Sequence, residues 1–238
     1  HHRADLGGMM ADPTFLDPAY GGGDAWLRGF VDYWNGPGAW ERLPAHRLCH
    51  YEHMRVWHAS LPPDGLGTLH FDAAEAGVAA LGTLVENARV TRACLDSYHA
   101  AGGRSLPQSL ASFAVDERGV DVTLADGGLV RTRLLVGADG ARSVVRAQLG
   151  IPVHSHAYGQ TAIIANIATV RPHANTAWQR FLPSGPVALL PLFNGECSIV
   201  WSAEDHLAQE LMALAPAVFE RRLEAATDGV LGALSLRS

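Results

Sequence analysis

The sequence predicts an α+β chain that combines a small α/β unit with a larger, antiparallel β-rich unit. Residues 134–149 read as a short apolar strand, a turn with two glycines and a helix, which is the repeating unit of a parallel sheet. Residues 162–202 instead contain strand-like stretches divided by short turns, as in an antiparallel sheet. The change of pattern near Pro152 therefore indicates two kinds of organisation in one chain.

Composition excludes several classes of function. With 238 residues the chain can form one large domain or two modest ones. The net charge of -6 is opposite in sign to the basic surface that nucleic acid requires, and no nucleic-acid partner is expected. Because the sequence contains no lysine, Schiff-base chemistry and a P-loop are excluded. Three widely spaced cysteines, Cys49, Cys94 and Cys197, indicate reduced thiols in a cytosolic protein.

The first half is predicted to contain an irregular segment, a β-hairpin, one long helix and a three-stranded meander. Residues 1–37 are rich in Gly, Pro and Asp, and only 25–34 look helical. In chain order the pattern then predicts a helical turn at 39–43, strands at 52–59 and 68–71, a helix at 84–101, and strands at 109–116, 119–124 and 129–133.

The second half is predicted to be β-rich and to end in helices. The predicted strands are 162–170, 176–181, 187–191 and 197–202, and helices follow over 204–226 with a break near Pro216. The predicted domains are an irregular segment at 1–37, the first part of the β-rich domain at 38–80, the α/β domain at 81–150, and the β-rich domain with its C-terminal helices at 151–238.

The candidate ligand site is the turn between Val136 and Ser143. Gly137 and Gly140 flank Asp139, so the backbone there can take positive φ and approach another molecule closely. Ser143 can cap the helix that follows. Ligands of open α/β sheets bind at the carboxyl ends of strands, so Asp139 is predicted to accept hydrogen bonds from sugar hydroxyls. A tight turn selected only for its geometry is the alternative.

Other chemical patterns lead to no assigned site. His46, Cys49, His50 and His53 would align for zinc only in a helix, whereas Met54, Val56 and Trp57 favour a strand, so no metal site is predicted. The sequence contains neither a Gly-x-Ser-x-Gly elbow nor a His-Glu-x-x-His motif. The catalytic residues therefore stay unassigned.

The string from Leu134 to Arg146, LLVGADGARSVVR, resembles the second flavin motif of the class A flavoprotein monooxygenases of the para-hydroxybenzoate hydroxylase type. The resemblance implies a partial FAD-binding domain, Rossmann-like and of the glutathione-reductase type, joined to an antiparallel β-sheet substrate domain. It also implies that Asp139 is the principal FAD contact, with Gly137, Gly140 and Arg142 around it, and that the segment takes part in NAD(P)H use.

Strings in the β-rich half resemble the substrate domain of the UbiH, UbiF and VisC branch of that family; they are YGQTA at 158–162, TAWQRFLP at 176–183, LLPL at 189–192 and CSIVWS at 197–202. This resemblance implies a hydroxylase that uses FAD, NAD(P)H and O2 on a polyprenylated phenol in ubiquinone biosynthesis. Leu190, Pro191 and Trp201 are then expected to line the substrate. The implied location is the cytoplasm, with association at the inner membrane or with a ubiquinone-synthesis complex left open.

The sequence departs from that branch at several places. It contains neither the Gly-x-Gly-x-x-Gly turn that receives the FAD diphosphate nor the closing Gly-Asp motif, and Ala88 stands where the branch usually carries Arg. Two interpretations follow: a partial chain of an active hydroxylase, or a degenerate, non-catalytic relative that binds a lipid-like phenol or a partner protein. Without the diphosphate cradle, tight FAD binding by this chain alone is not expected.

Overall fold

The computed structural model describes residues 38–237, so the irregular segment predicted at 1–37 and its helix at 25–34 lie outside the described residues. After two short 3-10 turns at Trp40–Arg42 and Ala45–Arg47, the elements in chain order are β1 (Cys49–Tyr51), β2 (His53–His58), β3 (Leu69–Asp72), β4 (Gly82–Leu84), α1 (Asn87–Ala100), β5 (Leu110–Asp116), β6 (Gly119–Leu124), β7 (Leu129–Thr132), α2 (Val144–Gln148), β8 (Gln160–Thr169), β9 (Thr176–Leu182), β10 (Gly185–Pro191), β11 (Cys197–Glu204), α3 (Asp205–Met212), α4 (Pro216–Ala226) and β12 (Leu234–Leu236).

The described chain divides into two compact units. One consists of residues 102–157, and the other contains the described residues up to 101 together with those from 158 onward. In this division α1 belongs to the larger unit, whereas the sequence assigns it to a domain at 81–150. The domain boundaries at residues 81 and 150 stay a prediction.

The larger unit is built on a seven-stranded sheet with the strand order β12-β8-β11-β10-β9-β2-β3. The predicted hairpin of β2 and β3 is present, and it joins the same sheet as the strands of the second half. One detail differs from the antiparallel prediction, because β2 runs parallel to β9. A long stretch of chain separates these two strands, so no hairpin fixes their relative direction.

The core of the larger unit lies on one face of this sheet. In β11 every second residue from Cys197 to Ala203 is buried, which matches the alternation of a strand with one covered face. Helices α3 and α4 contribute Leu211, Phe219 and Leu223 to the same buried cluster. The break between the helices falls at Pro216, which occupies the first turn of α4 as the sequence predicts.

The smaller unit contains the predicted meander, in which β6 pairs with both β5 and β7. It also contains the predicted helix after the glycine turn, shortened to the five residues of α2. The apolar strand predicted at the start of residues 134–149 is wrong, since the ladder ends at Thr132 and Leu134–Val136 do not form a strand. Leu134 is 73% and Val136 70% exposed. No described strand pairs with this stretch, and a strand is stable only within a sheet.

The cysteines and the helix lengths are two further features of the described residues. Cys49, Cys94 and Cys197 are all free thiols, as predicted. Burial raises the pKa of the Cys197 thiol to about 12, so this thiol is held protonated in the core. Within residues 38–237, none of the helices has the length and apolar character needed to cross a bilayer.

Gly185, the first residue of β10, provides a test of the sheet geometry. Its φ is +128°, and a Cβ there would lie 2.3 Å from the carbonyl oxygen of Ser202. We expect Gly185→Ala to lower the free energy of unfolding by about 2 kcal/mol or more, since the clashing atom is backbone and cannot swing away. Urea denaturation measures the change.

Gly195 is the matched control, because its φ is +83° and a Cβ there would have no neighbour within 4 Å. Gly195→Ala should therefore cost only the backbone strain, about 1 kcal/mol. If the two variants lower the free energy of unfolding by equal amounts, the close approach of β10 to β11 at Gly185 is contradicted.

Candidate functional site

The predicted ligand turn leads into α2, whose first turn is capped by Ser143. The Ser143 side chain is buried, and its Oγ accepts a hydrogen bond of 3.0 Å from the backbone N–H of Arg146. This is the N-cap role that the sequence predicts for Ser143. It anchors the end of the turn that carries Asp139.

Asp139 lies within hydrogen-bonding distance of the start of the same helix. Its Oδ1 accepts from the Ser143 hydroxyl at 2.5 Å, and its Oδ2 accepts from the backbone N–H groups of Val144 at 2.6 Å and Val145 at 3.3 Å. A carboxylate at a helix N-terminus is favoured because it satisfies amides that have no partner within the helix. Asp139 therefore holds the turn together, in addition to any role toward a ligand.

These hydrogen bonds lower the pKa of Asp139. The bond from the Ser143 hydroxyl has the largest effect, partial desolvation opposes it, and the amides of Val145 and Val144 lower the pKa further. Asp139 is thus charged at neutral pH.

The sign of this shift predicts how the turn responds to acid. Because the folded-state pKa is depressed, the stabilisation is present above the ordinary aspartate pKa of about 3.9 and is lost as pH falls through the lower folded value. We expect amide hydrogen exchange at Val144 and Val145, corrected for the intrinsic effect of pH, to accelerate across that range. Asp139→Asn should remove the pH dependence, and an acid response that persists in that variant would contradict the assignment.

The two glycines of the turn have different roles. Gly140 has a φ of +81°, as predicted, which side-chain-bearing residues rarely adopt. Gly137 does not have positive φ, and the expectation for it is wrong in this respect. It packs closely against the helix instead, because a Cβ there would lie 3.0 Å from the Cβ of Val145.

The two arginines near the turn also differ. Arg142 is exposed and makes no hydrogen bond or ion pair with the described residues. Arg146 donates from its guanidinium to the carbonyl oxygen of Ala141 at 2.5 Å, which braces the turn from the helix side. This role was not predicted from the sequence, where the only signal for it is the position of an arginine about one helical turn beyond the two glycines.

The residues of the turn fit one part of the implied cofactor and not another. The amides of Val144 and Val145 are already bonded to Asp139, and α2 is short, so this helix start does not offer a site for a diphosphate. The exposed carboxylate retains an unused lone pair on Oδ1, which can accept from a sugar or ribityl hydroxyl. The turn therefore fits a hydroxyl-bearing portion of a nucleotide.

The three predicted substrate residues do not share a surface. Trp201 is 4% exposed, lies in the core and contacts the ring of Phe219 at a centroid distance of 6.2 Å. Pro191 is buried on the same face of the sheet, since Val187 pairs with Trp201 and Pro191 with Cys197. Leu190 pairs with Ser198 and projects from the opposite face, where it is half-buried. The expected grouping is corrected accordingly, and only Leu190 remains on an accessible surface.

We call the side of the sheet opposite the α3–α4 layer the open face. Strand register and alternation place on it Met54, Val56, Leu69, Phe71, Ile164, Asn166, Gln179, Phe181, Ala188, Leu190, Ser198 and Val200. Its large apolar side chains are unusually accessible, with Leu69 57%, Phe71 49%, Phe181 43% and Ile164 40% exposed. An accessible apolar sheet face of this extent is typical of a binding surface.

The histidines considered for zinc point to separate partners. His50 lies 2.7 Å from the Thr83 hydroxyl, and His53 lies 3.0 Å from the Asp72 carboxylate. Within residues 38–237, no group of three or more His, Cys, Asp or Glu side chains could hold a metal ion.

Solved structures define the class of fold. The chain is similar to PqsL of Pseudomonas aeruginosa, a probable FAD-dependent monooxygenase, with a TM-score of 0.68 and 20% sequence identity over 87% of this chain and 60% of that one. It is also similar to the halogenase PltM crystallised with phloroglucinol and FAD, with a TM-score of 0.59 and 13% identity over 83% of this chain and 44% of that one. The described residues thus have the fold of flavoprotein monooxygenases.

A family model for the FAD binding domain matches residues 81–236, and the chain belongs to that family. It is 39% identical over 158 residues to ubiquinone hydroxylase UbiL of Rhodospirillum rubrum, covering 66% of this chain and 37% of that protein. It is 33% identical over 175 residues to 3-demethoxyubiquinol 3-hydroxylase of Escherichia coli, covering 72% of this chain and 43% of that protein. The resemblance to ubiquinone-biosynthesis hydroxylases is confirmed, and the chain spans about two fifths of the length of these relatives.

Proposed function

We propose that this chain is part of an FAD-dependent aromatic-ring hydroxylase that acts on a polyprenylated phenol in ubiquinone biosynthesis. The observation that carries the proposal is the family match over residues 81–236, which includes the Asp139 turn. The two relatives described above support it, since both are hydroxylases with a ubiquinone-type substrate in their names.

On the cofactor side, the proposed contacts are in the turn. The exposed carboxylate of Asp139 accepts a hydrogen bond from a hydroxyl of FAD, and the missing side chain of Gly140, where a Cβ would have no neighbour within 4 Å, lets the backbone approach it. The exposed Arg142 adds a positive charge beside an anionic ligand. When bound, FAD supplies the redox chemistry, in which two electrons from NAD(P)H and one molecule of O2 give a hydroxylated ring and water.

On the substrate side, the open face is the proposed surface. Its accessible apolar side chains, including Leu190, bind the apolar tail and ring of the phenol through removal of hydrocarbon surface from water. The β-rich unit would hold and orient the ring and keep water away from it. We propose a cytoplasmic location with peripheral association at the inner membrane, since a prenylated substrate resides in lipid.

A non-catalytic binding module is the second candidate function. The observation that favours it is that the open face lies entirely within the larger unit and can bind a lipid-like phenol without a nucleotide. FAD binding separates the two candidates, because a module of this kind needs no flavin.

The test is a titration of FAD into the purified chain, followed by the change in flavin fluorescence, with NAD(P)H oxidation measured in parallel. We expect weak but saturable binding, weakened at least about tenfold by Asp139→Ala, since a charge-assisted hydrogen bond contributes about 1.5–3 kcal/mol. Asp121→Ala is the control, because that exposed carboxylate pairs with Arg131 in the same unit and lies on the meander. A chain that binds a prenylated phenol but no FAD would overturn the hydroxylase proposal in favour of the module.

A further inference from the structure

We propose that Asn166 and Ser198 form a polar anchor that positions the phenol oxygen of the substrate on the open face. This inference rests on the proposed function and goes beyond it, because neither the resemblance nor the comparisons give a role to Asn166 or to Ser198.

Asn166 and Ser198 lie side by side on the open face. Asn166 on β8 and Ser198 on β11 are direct cross-strand partners, and Ser198 is also the direct partner of Leu190 on β10. Directly opposed residues of an antiparallel pair have Cβ atoms about 4.5–5.5 Å apart. The amide of Asn166 and the hydroxyl of Ser198 can therefore both contact one ligand atom.

Both side chains are available to a ligand. Neither side chain makes a hydrogen bond to another described residue, and both are only half-buried. The carbonyl oxygen of an Asn side chain can accept from a phenol O–H, and a serine hydroxyl can donate to the phenol oxygen. The pair thus offers the acceptor and the donor that a phenol needs.

A long apolar surface lies beside the pair. The next row of the face runs across the sheet through Ile164, Val200, Ala188, Gln179, Val56 and Leu69, and Gln179 is its only polar member. From β8 to β3 this row crosses five strand spacings, about 24 Å. A polar pair at one end of a long apolar row matches a ligand with a phenol head and a prenyl tail.

The test uses two probes that differ only at the head group, 2-geranylphenol and its methyl ether, 2-geranylanisole. Isothermal titration calorimetry on the full chain measures the affinity of each. We expect the wild-type chain to bind the phenol about fivefold more tightly, since one neutral hydrogen bond contributes about 1 kcal/mol. The double variant Asn166→Ala/Ser198→Ala should lose this preference while its affinity for the ether stays unchanged.

Ser202→Ala is the matched control, because Ser202 lies on the same strand, pairs with Ala162 and faces the same side as Ser198. That variant should keep the fivefold preference. If both probes bind with equal affinity to the wild type, or if Ser202→Ala abolishes the preference as well, the anchor is wrong while the apolar substrate surface stands. If neither probe binds, the proposed substrate surface fails together with the anchor.

Discussion

Replacing Trp201 with alanine is expected to lower the free energy of unfolding by about 3–5 kcal/mol. The indole is 4% exposed and belongs to the cluster formed with Ile199, Leu223 and Phe219 beneath the helices. Its removal would leave a cavity that this two-layer core cannot close without moving the sheet or α4. Chemical denaturation monitored by circular dichroism measures the loss.

Trp201→Phe separates a core role from a substrate role. We expect Trp201→Phe to lower the free energy of unfolding by less than half as much as Trp201→Ala. An aromatic ring remains against Phe219, and the indole N–H that is lost donates to no described residue. It should also leave the affinity for 2-geranylphenol unchanged, because Trp201 projects away from the open face. A stable Trp201→Phe protein that loses phenol affinity would restore Trp201 as a substrate contact.

Replacing Arg180 with methionine is expected to lower the free energy of unfolding by about 3 kcal/mol. The side chain is 12% exposed, and its guanidinium donates to the carbonyl oxygens of Ala225 at 3.0 Å and Ala226 at 3.1 Å at the end of α4. It also donates to the carbonyl oxygen of Ala59 at 3.1 Å, so one residue joins β9 to the helix end and to the segment after β2. The carbonyl oxygens of Ala225 and Ala226 lie at the negative end of α4, and that of Ala225 also accepts from the backbone N–H of Asp228 at 3.3 Å.

Arg222→Met is the matched control for Arg180. Arg222 pairs with Glu210 at 3.1 Å, but the side chains are 47% and 54% exposed, so its loss should cost less than about 1 kcal/mol. If urea denaturation gives similar decreases in the free energy of unfolding for the two variants, the buried guanidinium of Arg180 does not stabilise the packing of α4 on the sheet.

Strands β8 to β11 and helices α3 and α4 could be predicted because their local pattern and their burial agree, whereas the short edge strand β12 was not predicted. The alternation in β11 from Cys197 to Glu204 reflects one covered and one uncovered face, and Pro216 marks the start of α4. The strand predicted at Leu134–Val136 is absent for a tertiary reason, since an apolar run becomes a strand only beside another strand.

The site was predicted less completely than the fold. The motif identified Asp139, Gly140 and the cap at Ser143, but the inward hydrogen bonds of Asp139 depend on the exact path of the turn. The grouping of Leu190 with Trp201 was avoidable. The hairpin at Asn194-Gly195 sets Leu190 directly opposite Ser198, so these two side chains lie on the same face of the sheet. Ser198 and Trp201 are three residues apart on one strand and therefore lie on opposite faces, which separates Leu190 from Trp201.

The most direct test of the FAD assignment is a titration of the isotope-labelled chain with FAD, followed by backbone amide NMR signals. We propose that the carboxylate of this turn accepts a hydrogen bond from the cofactor, so saturable shifts are expected at Gly137, Asp139, Gly140 and Arg142, and they should be lost in Asp139→Ala. Saturable shifts confined to other residues, or shifts at the turn that are unchanged in Asp139→Ala, would contradict it.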